Sequence, residues 1–149
     1  MSRLVYALSL KQPWAALVVH GVKTIEIRRW ATRHRGLILV HASRQLDDRP
    51  EGWELIPLEA QKTATLRGGV IGSVEIMGCT IYRNPANFAA DRVRHLNHPE
   101  WFRPPALYGF VLARPRVLPY RRLPGQVRLF SVPVGAKEWT RLKGDKVTW

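Results

Sequence analysis

A lysine, a glutamate and an arginine set around two isoleucines, directly after a short apolar stretch, constrain this chain more than any other feature. The segment runs Ser9-Leu10-Lys11-Gln12-Pro13-Trp14-Ala15-Ala16-Leu17-Val18-Val19-His20-Gly21-Val22-Lys23-Thr24-Ile25-Glu26-Ile27-Arg28-Arg29-Trp30. Pro13 sits where a first helical turn tolerates it, and Gly21 where a left-handed cap is wanted. Residues 14–19 are apolar nearly all round, which predicts a short buried helix. Alternation over 23–29 predicts a strand with Thr24, Glu26 and Arg28 on one face and Ile25 and Ile27 on the other. Charges on a half-buried strand are costly unless paired or used. The polar trio, with Lys23 entering from the turn after Gly21, therefore marks the candidate working surface.

The remaining chain supplies several more strands. Apolar runs at 4–10 and 37–42 read as strands. Gly68-Gly69 introduces a long strand over 70–81, in which Gly72 and Gly78 mark bulges. Residues 107–112 and 116–118 read as strands broken at Pro115, and 127–132 as the last. The acidic stretch from Asp47 to Leu66 predicts a solvated helix or helix pair. Asn84-Pro85 opens a helix to about His95, with Asn84 as cap. The basic tail 137–149 is expected to be partly ordered, because Trp139 and Trp149 are costly to leave in water. The pattern predicts a single α+β domain: a small mixed β-barrel of about six strands with short helices on its rim.

The chain carries 24 Lys and Arg against 11 Asp and Glu, a formal net charge of +13. Five of the acids, Asp47, Asp48, Glu51, Glu54 and Glu59, fall in one short segment, so the rest is more basic still. Such a field attracts polyanions, of which nucleic acid is the commonest in a cell. Arginine outnumbers lysine 18 to 6, and its planar fork suits phosphates and stacks on bases. Cys79 is the only cysteine, which excludes an internal disulfide and fits a reducing, cytoplasmic setting. No Cys/His cluster has zinc spacing, and His95 and His98 lack a carboxylate pattern around them. Phosphate loops and nucleophile elbows are missing too, so neither metal nor cofactor is expected. No run approaches the roughly eighteen apolar residues of a membrane span.

Beside the trio, Trp14 and Trp30 flank basic groups as base-stacking requires, although Trp14 also suits a core position. Lys11 joins them from the strand end. Arg29, Arg33, His34 and Arg35 make a basic loop suited to phosphates, and Arg121 and Arg122 a second. His41 ends an apolar strand; a neutral imidazole satisfied by the backbone competes there with a cleft role.

The run from Ser9 to Ala15, continued by the helix to Gly21 and by Lys23, Glu26, Arg28 and Trp30, resembles the ASCH (activating signal cointegrator 1 homology) domain family. Further similarities follow in order: residues 37–43, Gly69-Val70-Ile71-Gly72, Trp101-Phe102, Tyr108-Gly109-Phe110-Val111-Leu112, and Gly125-Gln126 leading to Leu129-Phe130. Together they cover most of 4–133. The resemblance implies a PUA-like barrel with a cleft beside the first helix, and RNA or modified-nucleoside binding. It also implies an enzymatic alternative, since one bacterial branch hydrolyses the acetyl amide of N4-acetylcytidine with a lysine, a threonine and a later glutamate. Lys23 matches that lysine. Glu26 stands where the threonine would be, Thr24 lies about 7 Å earlier on the same face, and Asp91 and Glu100 are regional candidates for the glutamate.

Three functions follow as expectations. The first is a binding module for single-stranded RNA, or a modified nucleotide, with DNA as the alternative polymer. The second is a hydrolase, ribonuclease or nucleoside amidohydrolase, with Lys23 and Glu26 catalytic. The third is a module whose basic face meets an acidic protein.

Overall fold

One sheet, ordered β2-β5-β4-β3-β1-β6, organises the protein. The computed structural model describes residues 3–144. Its strands are β1 (Arg3–Gln12), β2 (Ile25–Arg28), β3 (Gly36–Leu46), β4 (Gly69–Tyr82), β5 (Leu107–Arg122) and β6 (Leu129–Val134). The helices are short: α1 (Trp14–Val19), α2 (Pro50–Trp53), α3 (Pro85–Ala90), α4 (Arg92–His95) and α5 (Ala136–Leu142). β1 and β3 pair in parallel, and the other ladders are antiparallel. A parallel pair needs a crossover; here it contains α1 and β2.

The class is α+β, as expected, but the barrel is open. β2 and β6 are the two edges of the sheet, and no ladder joins them. The gap is crossed by a side chain instead. The Arg28 guanidinium of β2 donates to the Ser9 carbonyl of β1 at 2.9 Å. This rolled, unclosed sheet leaves a seam.

α1 forms where the sequence predicts it. All six of its residues are buried, and Leu17, Val18 and Val19 share a core with Leu8, Leu10, Val40, Ile71 and Phe110. Gln12 replaces a conventional N-cap: its Oε1 accepts from the Ala16 amide at 3.0 Å, and its Nε2 donates to the Thr63 and Leu66 carbonyls. At the other end Gly21 takes φ +76°, and the amides of Val22 and Lys23 both return to the Leu17 carbonyl. That turn aims Lys23 at the seam. A second core lies on the opposite sheet face, where Phe130, Val132 and Val134 meet Val5, Ala7, Leu39 and α5.

Several boundaries differ from the sequence reading. Residues 47–66 hold only α2 and two single 3₁₀ turns, Leu58–Ala60 and Thr63–Thr65, because the segment is anchored through backbone carbonyls to Gln12. The helix expected over 84–95 is capped by Asn84 as predicted, at 2.9 Å from the Asn87 amide, but breaks at Asp91 into α3 and α4. β5 runs unbroken through Pro115. Arg114 there adopts φ +49°, and the register with β4 shifts between Ser73 and Glu75, so the ladder skips the missing proline donor. Further shifts adjoin Gly72 and Gly78, the expected bulge positions. β2 is shorter than predicted and excludes Lys23 and Thr24, and the last strand starts at Leu129. Trp139 of the tail packs on the second core, whereas Trp149 lies outside the described residues. No helix among the described residues is long and apolar enough to cross a membrane.

Candidate functional site

The seam holds a cleft of about 570 Å³. Its walls come from β1 (Ser9, Leu10, Lys11), α1 (Trp14), the β2 region (Lys23, Glu26, Ile27, Arg28, Trp30) and the approach to β6 (Gln126, Val127, Arg128). Ser43, Asp47, Arg49 and Asn97 complete it.

Lys23, Glu26 and Arg28 form its floor. Lys23 is only 2% exposed, and its ammonium donates to the His95 carbonyl and to Asn97 Oδ1 at 3.2 Å. The same nitrogen lies 3.7 Å from Glu26 Oε1 and 4.9 Å from the Trp14 ring centroid. Glu26 Oε2 accepts from Arg28 Nε at 3.0 Å and lies 2.9 Å from its terminal nitrogen. Burial pushes the Lys23 pKa from 10.5 down to about 8; Glu26 opposes this and the Arg28 charge adds to it. Two cations against one carboxylate leave the floor positive. A carboxylate offers about four lone-pair sites, so Glu26 keeps acceptor capacity toward the cleft.

The Lys23 pocket depends on His95. This imidazole is buried and stacked on Phe88 at 4.2 Å; Nε2 donates to the Phe88 carbonyl at 2.6 Å and Nδ1 accepts from the Asn97 amide at 2.9 Å. Burial lowers its pKa, so it stays neutral and acts as a spacer between α3 and Asn97. Among the described residues, no three His, Cys, Asp or Glu side chains converge as a metal site would need.

The aromatic walls are held as firmly. Trp14 Nε1 donates to Asp47 Oδ2 at 2.7 Å, and Arg49 grips the same carboxylate at 2.7 Å while stacking on Trp101 at 3.6 Å. Burial raises the Asp47 pKa, but the Arg49 and Trp14 hydrogen bonds outweigh it and hold the group down at about 2. Trp30 packs edge-on to Phe110, and the Arg128 guanidinium lies 5.2 Å over its ring, a second bridge across the seam. Past Trp30 the cleft continues into a shallower basin bearing Arg29 and Arg103.

A family model described as ASCH domain matches residues 8–115, which carry all the floor residues. The chain belongs to the ASCH domain family. Activating signal cointegrator 1 of Mus musculus is 42% identical over 55 residues, and that of Homo sapiens 40%. Each alignment covers 37% of this chain and 9% of the cointegrator, so this ASCH chain matches only a small part of those proteins. The ASCH protein of Zymomonas mobilis has the same fold, with TM-score 0.62 at 15% identity over 94% of either chain. A tyrosine-to-phenylalanine mutant of it gives TM-score 0.62 at 16% identity, over 96% of this chain and 99% of that one. This PUA-like fold is often linked to RNA binding.

Within the ASCH fold of this chain, Lys11, Trp14, Lys23, Glu26, Arg28 and Trp30 share the cleft, and Arg29 flanks it. Trp14 is both wall and core. Thr24 does not line the cleft; its amide donates to the Arg94 carbonyl. Arg33 and Arg35 lie outside the lining, with Arg35 turned back onto the Thr32 and His34 carbonyls. His41 is buried behind β1. Its Nε2 donates to the Leu123 carbonyl at 2.6 Å and its Nδ1 accepts from the Ser9 hydroxyl at 2.9 Å; burial lowers its pKa, so it is neutral. Arg121 and Arg122 end β5 rather than forming a loop. Arg121 pairs with Glu138 at 3.3 Å, and Arg122 points elsewhere. Asp91 accepts from the Tyr82 hydroxyl at 2.6 Å, and neither it nor Glu100 lines the cleft. Ser9, Asp47, Arg49, Asn97, Gln126 and Arg128 escaped the sequence reading. Ser9 and Gln126 did carry a signal, since both stand in the runs that resemble the ASCH family.

Proposed function

We propose that this ASCH domain binds single-stranded RNA, placing one base, natural or modified, in the seam cleft. The observation that carries the reading is Glu26, a buried carboxylate held between Lys23 and Arg28 in a cleft walled by Trp14 and Trp30. Unpaired bases are recognised by aromatic stacking and by hydrogen bonds to their edges. Glu26 accepts from an exocyclic amine, with Lys23 and Arg28 orienting its carboxylate. Trp30 stacks. Lys11, Arg49 and Arg128 at the rim meet the phosphates, and the excess of basic residues supplies the long-range attraction.

One observation favours a second reading. A lysine with a pKa near 8 is suited to general base work at neutral pH. That supports hydrolysis of RNA or of an N4-acylated cytidine, with Lys23 and Glu26 as catalytic residues.

Titration of labelled single-stranded RNA and duplex DNA at two salt concentrations, followed by a check of probe integrity, separates these. The expected result is salt-sensitive RNA binding with an intact probe, weakened in Glu26→Gln and Trp30→Ala. A cleaved probe, with cleavage lost in Lys23→Met, would replace binding by hydrolysis. Absence of binding to both polymers would overturn the nucleic-acid reading and leave a free modified nucleoside or an acidic protein as ligand.

A further inference from the structure

A second concavity of about 650 Å³ lies at the sheet end next to the seam, lined by Arg44, Thr65, Arg67, Gly68, Tyr120 and Arg122. Its three arginines come from the end of β3, the turn before β4 and the end of β5. Sheet register brings them together, since Ala42 pairs with Gly69 and Gly69 with Arg122. Among the described residues, no acid lines the hollow. Among the described residues, the guanidiniums of Arg44 and Arg122 have neither a carboxylate nor a carbonyl partner, and Arg67 reaches only the Arg44 carbonyl at 3.3 Å. Three like charges gathered without a counter-charge repel one another unless an anion joins them.

The hollow is shaped by the Gly68-Gly69 doublet. Gly68 takes φ +72°, and a Cβ there would come within 3.2 Å of the Arg44 side chain. A Cβ on Gly69 would lie 2.5 Å from the Tyr120 ring. Tyr120 is fixed in turn by donating its hydroxyl to the Arg67 carbonyl at 2.8 Å. The Arg44 side chain thus lies over bare backbone, beside a tyrosine whose ring can stack.

Two links join this hollow to the cleft. Ser43 faces the cleft and its neighbour Arg44 the hollow, on either side of one strand end. Arg122 likewise leads through residues 123–125 to Gln126, Val127 and Arg128 of the cleft wall. We infer that Arg44, Arg67 and Arg122 form a second anion site, which takes a backbone phosphate of the same RNA strand whose base enters the seam cleft. The inference rests on the RNA reading of that cleft. It adds a direction to it: the strand leaves past β3 and the 122–128 segment. Arginine forks suit phosphate oxygens, and three of them define a position rather than a diffuse field.

The test is a length series of single-stranded RNA, from about 4 to about 16 nucleotides, the span of sites for a domain of this size. Wild-type protein is compared with the exposed double variant Arg67→Ala/Arg122→Ala, with inorganic pyrophosphate as a separate probe. Wild-type affinity should step up once the strand reaches the hollow. The double variant should keep short-oligomer affinity, lose the step by on the order of tenfold, and lower the salt slope by about 0.7, the value for one phosphate contact on a single strand. A step and slope unchanged in the double variant would overturn the second site while leaving the cleft reading intact. Pyrophosphate binding abolished by the variant, without any length step, would overturn the strand path in favour of a free phosphate ligand. Short oligomers failing to bind wild-type protein would overturn the cleft reading, and this inference with it.

Discussion

Arg28 and Ser9 stand on strands that never pair, yet the Arg28 guanidinium meets the Ser9 carbonyl at 2.9 Å. This bond closes the open sheet at the point where the cleft needs a floor. The same arginine holds Glu26, so one side chain both sets the seam width and orients the carboxylate. Arg28→Ala should lower stability by about 1.5–3 kcal/mol in urea unfolding, the range for hydrogen bonds involving charged groups. It should also abolish RNA binding. Arg28→Lys should recover part of the stability but not the binding, because an ammonium cannot span both partners.

Lys23 carries a pH signature. Its folded pKa is near 8 and its ordinary value 10.5, so between those values the unfolded chain holds more protons. Stability therefore rises with pH through that window, by about 3 kcal/mol at most. Lys23→Met should flatten the rise, measured as the difference between the two proteins' urea midpoints from pH 7.5 to 10.5. RNA affinity should run the other way, falling as pH climbs past about 8 and the floor loses a charge. Parallel pH profiles for wild type and Lys23→Met would contradict both statements.

Asp47 acts oppositely at acid pH. Its depressed pKa of about 2 means that the stability it contributes is present above about pH 4 and lost as pH falls toward 2. The Trp14 indole N–H resonance should titrate with that midpoint. Asp47→Asn should keep an acceptor for Trp14 but release Arg49, destabilising the protein by about 1 kcal/mol and weakening RNA binding. A Trp14 resonance unmoved between pH 4 and 2 would remove Asp47 from the account.

The first helix and its glycine turn were legible because local rules govern them: apolar residues throughout, a proline before, a left-handed glycine after. Glu26 and Arg28 were legible as costly charges in a strand. Asp47 was not, because the acids around it read as a solvated helix; only the crossover to Gln12 and Trp14 makes it a wall support. Asn97 and His95 reach Lys23 through a helix break at Asp91 that periodicity does not show. Pro115 reads as a strand end by its missing donor, and only the positive φ of Arg114 lets the ladder pass. Arg122 looked like loop chemistry, whereas strand register gathers it with two arginines distant in sequence.

Gly125 offers a test of how the wall near β6 is carried. A Cβ there would lie 2.8 Å from His41 Cε1 and 3.1 Å from the Ser9 hydroxyl. Gly125→Ala should therefore displace the loop bearing Gln126 and Arg128, costing about 1–3 kcal/mol by overpacking. RNA affinity should drop although the substituted residue lies outside the cleft lining. Unchanged affinity would separate this loop from the site.

The most direct test of the central claim is an NMR titration of indole N–H resonances with a short single-stranded RNA. Trp14 and Trp30 should shift first and saturate together, Trp139 should stay still, and Glu26→Gln should diminish the shifts while leaving the spectrum folded. Shifts confined to other tryptophans, or persisting undiminished in Glu26→Gln, would contradict binding in the seam cleft.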